Sequence, residues 1–405
     1  MDQRGQSAWL YPGGPDVTFA HFPSWTMVSG RKGAKLGEAV TILGDVNLDG
    51  YDDIAVGAHG WDATETLGAL GNKAGKAWVF LGTPDGPAAT ENFVEIGSET
   101  DANIGVSLDR AGDINGDGYM DITIGGYIFL IGDGMICVFR GEPSGIDEDL
   151  EFMAIGGAED TSFYAINQTT AGDVNGDGYD DVCIGAPRFD ANGLYQSGKL
   201  HIHYGGPDGL HDEVGWIGTG SQYDERWAFN VNEAGDVNHD GYGDLLVGAK
   251  YYNNGMQFHA GKGELYLGGP QGLRRTPNWT FAGPDSGMCL GANISRAGDV
   301  NGDGFEDIIL AGDEYSGGFT REGIVYAFYG QAQQCDPLHH VVPYYITPNS
   351  VTMGWEWLYG AKQYKFCMLR IDGPSPYYVI PTTDSVVTVG GLVPGAHYRG
   401  YVIAQ

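Results

Sequence analysis

A ten-residue stretch, GDVNGDGYDD from Gly172 to Asp181, returns four more times in nearly the same form. The copies are GDVNLDGYDD from Gly44, GDINGDGYMD from Gly112, GDVNHDGYGD from Gly235 and GDVNGDGFED from Gly298. Their first aspartates fall at 45, 113, 173, 236 and 299, at intervals of 68, 60, 63 and 63 residues. A near-constant period of this size means one supersecondary unit used repeatedly, as in propellers and solenoids.

The repeated unit is larger than the loop. A half-alternating stretch precedes each copy, such as IGVSLDRAG or LGANISRAG, and a short apolar run follows it: DIAVGA, DITIGG, DVCIGA, DLLVGA, DIILAG. A third segment reads GKAWVFLG, GMICVFRG, GKLHIHYG, GKGELYLG or GIVYAFYG, and a fourth reads NFVEIG, EFMAIG, VGWIGTG or NWTFAG. Each is short, rich in β-branched or aromatic residues and bounded by Gly or Pro, and none shows sustained helical periodicity. Four strands in a repeat of about 60 residues make one propeller blade. Stacking buries both faces of each twisted sheet against its neighbours.

Within the loop the spacing is Asp-x-Asn-x-Asp-Gly-Tyr-x-Asp. Side-chain oxygens at positions 1, 3, 5 and 9 can converge if the chain wraps tightly, and Gly at position 6 permits the turn. Position 7 offers its backbone carbonyl. Such a set of hard oxygens suits Ca²⁺, which takes six to eight of them, better than Mg²⁺, which keeps more water. The candidate ligands of the first loop are Asp45, Asn47, Asp49, Tyr51 and Asp53. The second loop offers Asp113, Asn115, Asp117, Tyr119 and Asp121, and the third Asp173, Asn175, Asp177, Tyr179 and Asp181. The fourth offers Asp236, Asn238, Asp240, Tyr242 and Asp244, and the fifth Asp299, Asn301, Asp303, Phe305 and Asp307. An EF-hand requires a carboxylate at position 12. That position holds Val56, Ile124, Ile184, Val247 and Leu310, so EF-hand and dockerin readings fail. One Ca²⁺ per loop, about five ions in all, is the expectation.

Charge agrees with a cation-binding chain. Against 53 Asp and Glu stand 21 Lys and Arg, a formal net charge of −32. Such a surface repels nucleic acid and anionic lipid. The odd count of 5 cysteines, none at CxxC spacing, argues for buried thiols over a disulfide framework. No apolar run is long enough to cross a bilayer.

These residues resemble the FG-GAP repeat, the blade unit of integrin α-subunit propellers and of many bacterial surface proteins. The resemblance covers about residues 5 to 330 and is strongest at the acidic loop. Gly185-Ala186-Pro187 is the one literal GAP, and the FG position reads Leu36-Gly37, Ile104-Gly105, Phe163-Tyr164, Trp227-Ala228 and Leu290-Gly291. The family implies a ring of blades with Ca²⁺ in the loops between first and second strands, and ligands on the opposite face. A sixth copy of the third strand, GQSAWLYPGGPD at Gly5, is followed by a fourth-strand match, PSWTMVSG. This implies a partial blade at the start and a longer exported polypeptide; five blades with an edge hairpin is the alternative.

From about Pro343 the loop motif is lost. The sequence resembles a fibronectin type III module, with Trp355 as the core tryptophan and Leu392-x-Pro394-x-x-x-Tyr398 leading into the sixth strand. The resemblance implies a seventh strand after Gln405. The expected fold is therefore all-β: a propeller over residues 1–331, a linker over 332–342 and an incomplete β-sandwich over 343–405. The adjacent His339 and His340 of the linker show no partner ligands and are read as solvated.

No GxSxG, HExxH, P-loop or dinucleotide fingerprint is present, so no catalysis is expected. The function read here is a calcium-stabilised extracellular or cell-surface recognition or adhesion module with a protein or glycan ligand. One alternative is a carbohydrate-binding or polysaccharide-degrading protein, and another is a structural subunit of an extracellular assembly. No RGD is present, and no integrin ligand is carried over. Loops between second and third strands vary in length and carry Trp61, Phe189, Tyr195, Tyr251, Tyr252, Phe258, Tyr315 and Phe319 beside polar groups. They are the candidate ligand contacts. Sequons at Asn167, Asn278 and Asn293 matter only in a eukaryotic source.

Overall fold

The computed structural model describes residues 7–11, 22–62, 73–98, 101–128, 133–156, 167–316, 321–330, 342–347, 349–354, 364–370, 377–383, 386–390, 392–394 and 398–404. Phe163, Tyr164, Phe319, Cys335, His339, His340 and Trp355 lie outside them. The chain divides into two compact units, Met1–Gly330 and Gln331–Gln405.

The first unit is a series of antiparallel sheets in chain order. A hairpin of β1 (Ser7–Leu10) and β2 (Trp25–Val28) comes first. Blade one is β3 (Val40–Gly44), β4 (Asp53–Gly57), β5 (Lys76–Phe80) and β6 (Phe93–Ile96). Blade two is β7 (Ser107–Gly112), β8 (Asp121–Ile128), β9 (Asp133–Glu142) and β10 (Gly145–Ile155). Blade three is β11 (Asn167–Gly172), β12 (Asp181–Ala186), β13 (Lys199–His203) and β14 (Val214–Thr219). Blade four is β15 (Trp227–Gly235), β16 (Asp244–Ala249), β17 (Lys262–Tyr266) and β18 (Trp279–Ala282). Blade five shows three strands, β19 (Leu290–Gly298), β20 (Asp307–Gly312) and β21 (Ile324–Phe328). In every complete blade the strands pair in sequence order. The unit is all-β and its four-stranded sheets are consistent with propeller blades; among the described residues no strand pairing closes the series into a ring.

The apolar runs explain the stacking. All six residues of β12 and of β16 are buried, because a second strand is covered on both faces. Its side chains alternate between neighbours. Val182 and Ile184 join Ala111, Ile136 and Val138 of blade two. Cys183, between them, joins Leu245 and Val247 of blade four. Similar clusters join blades one and two and blades four and five. Trp25 and Met27 of the first hairpin pack with Val56, Trp78 and Phe80 of blade one. Burying one Leu, Ile or Phe contributes roughly 1.5–3 kcal/mol, so each interface is stabilised by many such residues. Cys137, Cys183 and Cys289 are free thiols in these layers, and burial raises the pKa of each.

First strands lie innermost. One cavity of about 430 Å³ is lined by Ile42, Asp109, Thr169, Asn232 and Ser295, one residue from each of the five first strands. Charges cross it. Arg110 of blade two meets Glu233 of blade four at 2.6 Å, passing over blade three. Glu233 also meets Arg296 at 3.4 Å, and Arg296 meets Glu306 at 2.8 Å.

The second unit holds two three-stranded antiparallel sheets. Strand β22 (Val342–Thr347) pairs with β23 (Ser350–Gly354), which pairs with β26 (Val386–Gly390). In the other, β24 (Tyr364–Arg370) lies between β25 (Tyr377–Thr382) and β27 (Tyr398–Ala404). Phe366, Met368, Val387 and Val389 form its core with Leu392 and Tyr398 beside them. The Val393 N–H donates to the Tyr398 hydroxyl at 3.0 Å.

Candidate metal centres

All five acidic loops join a first strand to a second strand, so antiparallel pairing places them on one rim of the blades. Each begins with a bulge. Gly44, Gly112, Gly172, Gly235 and Gly298 have positive φ, and the pairing register shifts just before each of them. The bulge turns the chain out of the ladder. Position 6 is also left-handed in every loop, with φ near +90°, from 90° at Gly241 to 94° at Gly178, where glycine carries no steric penalty.

The side chains then fold onto the loop's own N–H groups. In the third loop Asp173 Oδ1 accepts from the Asp177 N–H at 3.1 Å and Asp173 Oδ2 from the Gly178 N–H at 2.8 Å. Asn175 Oδ1 accepts from the Asp177 N–H at 2.9 Å, and Asp177 Oδ1 from the Tyr179 N–H at 3.1 Å. The other four loops repeat this pattern at positions 1, 3, 5, 6 and 7. Each carboxylate oxygen has a second lone pair; on Asp173 Oδ1 and Asp299 Oδ1 it accepts from the Gly176 and Gly302 N–H groups at 2.6 Å and 2.7 Å, and on the other carboxylate oxygens these bonds leave it open.

Position 9 does something the sequence reading did not anticipate. Asp53, Asp121, Asp181, Asp244 and Asp307 are wholly buried. Asp181 Oδ2 accepts from the Val174 N–H at 3.0 Å, and its Oδ1 accepts from the Gly205 N–H at 3.0 Å. The same two bonds recur in every loop, from position 2 and from the glycine at or just past the end of the third strand: Gly82, Gly141, Gly205, Gly268 and Gly330. This carboxylate therefore ties its loop to the far end of a different strand. A signal for it was present, since all five third segments end in Gly. At Gly205 an added Cβ would come within 2.4 Å of the Asp180 carbonyl oxygen.

The electrostatics favour a cation. Burial pushes Asp121 up to about 7, Asp181 to about 8 and Asp244 to about 7, and in each the carboxylates at positions 1 and 5 add to the shift. Asp53 is raised for the same reasons. Among the described residues no Lys, Arg or His pairs with any carboxylate at positions 1, 5 or 9. A divalent cation would supply the positive charge that these groups lack, and the oxygen-only donor set is of the kind that suits Ca²⁺. The three carboxylates of a loop stand apart, however. Among the described residues, the one trio of acidic, His or Cys side chains with ligand atoms all within 4.8 Å is Cys289, Asp313 and Glu314. There Lys250 already sits 2.9 Å from Asp313.

At position 12, Val56, Ile124, Ile184, Val247 and Leu310 are buried in second strands, as the exclusion of an EF-hand requires.

The candidate ligand aromatics divide into two groups. Trp61 packs with Trp78 at 5.3 Å and under Arg31 at 4.2 Å. Phe189 and Tyr252 pack on the cores between blades, with Lys199 and Lys262 over their rings. Tyr251 stacks on His259 at 4.7 Å and under Arg226 at 4.5 Å. Ring burial against neighbours outweighs exposure at these positions. Tyr195 and Phe258 are exposed, at 47% and 69%, and Tyr315 is half-buried. A separate cavity of about 310 Å³ has a lining that includes Asn167, Arg188, Arg226, Phe229, Asn230 and Asn293. It lies on the rim opposite the acidic loops. Sequence reasoning missed it, although Asn167, Asn230 and Asn293 share one repeat position, six residues before the first loop aspartate.

Blades with acidic loops on one rim define a class of repeat propeller. The FG-GAP repeat family matches residues 36–80, 165–203 and 233–267, which span the first three strands of blades one, three and four, apart from the opening residues of β15. Phosphatidylinositol-glycan-specific phospholipase D of Rattus norvegicus is 33% identical over 172 residues, 40% of this chain and 20% of that protein. Integrin alpha-PS5 of Drosophila melanogaster is 33% identical over 147 residues, 35% of this chain and 14% of its own. Integrin alpha-5 of Xenopus laevis is 29% identical over 163 residues, covering 39% and 15%. These matches support the FG-GAP β-propeller family. The chain spans a fifth or less of the length of these relatives. A rhamnogalacturonan lyase of solved structure aligns with a TM-score of 0.34 and 14% identity over 87% of this chain and 61% of that one, a likeness too weak to carry an argument. No helix among the described residues is long and apolar enough to cross a membrane.

Proposed function

We propose that this chain is a calcium-stabilised recognition or adhesion module that works outside the cell, without catalysis of its own. The observation that carries the reading is the five wholly buried position-9 carboxylates, none of which, among the described residues, is paired with a protein cation. Ca²⁺ held by the side chains at positions 1, 3, 5 and 9 and the carbonyl at position 7 would neutralise them. The ion would draw the loop oxygens together and fix the rim. Relatives named as integrin α subunits support adhesion. Those named as a phospholipase D carry an enzyme's name, yet the match covers a fifth of their length, and no catalytic constellation is legible here. Calcium titration by calorimetry with metal analysis tests the proposal. About five ions are expected; fewer than three in millimolar calcium would overturn it.

Recognition is assigned to the opposite rim. There Arg188 and Arg226 lie close enough that Arg226, after burial, helps lower the Arg188 pKa. Three carboxamides and the Phe229 ring complete the wall. Polar donors beside an aromatic favour a glycan as the second reading. A glycan array run beside a protein pull-down separates the two. Arg226→Ala should weaken whichever ligand is found and leave calcium content unchanged. The second unit is proposed to be a fibronectin type III-like sandwich, supported by its two three-stranded sheets and the Tyr398 hydroxyl bond.

A further inference from the structure

The aromatic residue at position 7 has a side chain whose place the metal chemistry leaves open. Its carbonyl is the candidate ligand; its ring points elsewhere. Tyr179 of the third loop lies over Gly116, position 4 of the second loop, so close that a Cβ there would meet Tyr179 Cε1 at 2.8 Å. Tyr242 of the fourth loop lies over Gly176, position 4 of the third, where a Cβ would meet its Cε1 at 2.4 Å. In the next pair position 4 is His239, and Phe305 of the fifth loop packs on that ring at 4.5 Å. Gly302, position 4 of the fifth loop, has no atom within 4 Å of where its Cβ would be. No acidic loop follows it in the sequence. Three consecutive pairs thus use one rule, and the site without a successor is open.

Backbone bonds follow the same direction. The Asp180 N–H donates to the Asp113 carbonyl at 3.0 Å, and the Gly243 N–H to the Asp173 carbonyl at 2.8 Å. Asp180 Oδ2 also accepts from the Asp113 N–H at 2.9 Å. Gly206 and Gly269, just past third strands, donate to the Ile114 and Val174 carbonyls at 3.0 Å each. In the second and third loops, position 1, the first candidate ligand, is therefore held by position 8 of the next loop. Position 8 directly follows the ring.

We infer that the position-7 rings couple each acidic loop to the loop before it, so that loops two to five bind Ca²⁺ as a linked row and not as independent sites. The inference rests on the calcium reading above. The physical basis is shared order. An ion in the third loop fixes the backbone at positions 7 and 8, which places the Tyr179 ring and the Asp180 N–H. Those groups hold Gly116 and Asp113 of the second loop in their bound arrangement, so the second ion has less chain left to order. Coupling is reciprocal between sites. Tyr179, Tyr242 and Phe305 are positioning residues in this scheme.

Calcium titration of the whole chain by calorimetry, with circular dichroism to confirm folding, tests it. The native chain should bind with a Hill coefficient above one. Tyr179→Ala should bind the same number of ions with a Hill coefficient nearer one and with its weakest site about fivefold weaker or more, the usual lower range of coupling between sites. Tyr179→Phe keeps the ring and should behave as the native chain. Equal, independent sites in the native chain would overturn the coupling and leave the calcium reading intact. A chain that binds no calcium would overturn both. Tyr179→Phe behaving like Tyr179→Ala would overturn the role of the ring. Should Tyr179→Ala not fold, Phe305→Ala carries the same expectation for the last two loops.

Discussion

The two rims of the blades bury carboxylates in opposite ways. On the rim of the second-to-third strand loops, Glu225 is wholly buried and Glu264 nearly so, and Lys262 lies 2.8 Å and 2.6 Å from them. Burial opposes the lysine's charge, but the two carboxylates outweigh it and raise its pKa. Trp227 Nε1 and the Tyr266 hydroxyl donate to Glu264 as well. On the acidic rim five buried aspartates receive backbone N–H groups and, among the described residues, no protein cation. One rim carries its counter-charge in the sequence. The other does not, and on the calcium reading proposed above its stability would depend on the medium.

The largest expected effect breaks that contrast directly. If each loop holds an ion at a hundredfold excess over its Kd, each contributes about 2.7 kcal/mol. Five loops then contribute on the order of 10 kcal/mol. Thermal melts should show a large, reversible fall in Tm with excess chelator, restored by calcium. An unchanged Tm would place the two rims on the same footing. The next effect belongs to the opposite rim. Lys262→Met leaves two buried carboxylates without their cation and should cost about 3–5 kcal/mol. Urea unfolding should give the same loss with and without calcium; a calcium-dependent loss would mean that the rims are coupled through the blade.

A finer test separates the two duties of position 9. Asp181→Ala removes the acceptor for Val174 and Gly205 and should cost about 2–6 kcal/mol even in chelator, at roughly 1–3 kcal/mol for each orphaned buried N–H. Asp177→Ala, at an exposed position, should cost about 1 kcal/mol in chelator and lose one bound ion in calcium. Equal losses in chelator would remove the distinction between ligand and tie. The smallest effect lies at position 4. Leu48 holds φ at 59° with its side chain 58% exposed. Leu48→Gly should therefore stabilise the chain by about 1 kcal/mol through relief of the left-handed strain, read as a small rise in the urea midpoint.

Much of this was legible without a structure. The strand segments of the repeat were read in the right order, because alternation and Gly or Pro boundaries are local signals. The position-12 residues were placed correctly inside second strands for the same reason. The ligand aromatics were less legible. Tyr195 and Phe258 stand exposed, whereas Trp61, Phe189 and Tyr252 turn back onto neighbouring side chains. A ring in a loop has no period to show which way it faces.

The sequence by itself determined the blade unit, its repetition and the acidic loop, since each strand and each loop is written in a short contiguous stretch and the stretches recur in one order. Only the tertiary structure decided the partners of that loop. The glycine N–H on Asp181 comes from 24 residues away, the ring over Gly116 comes from Tyr179 in the next blade, and Arg110 reaches Glu233 across 123 residues. Stacked sheets bring together positions a full repeat apart. The identity of a residue at one repeat position does not state which residue of the next blade will lie against it.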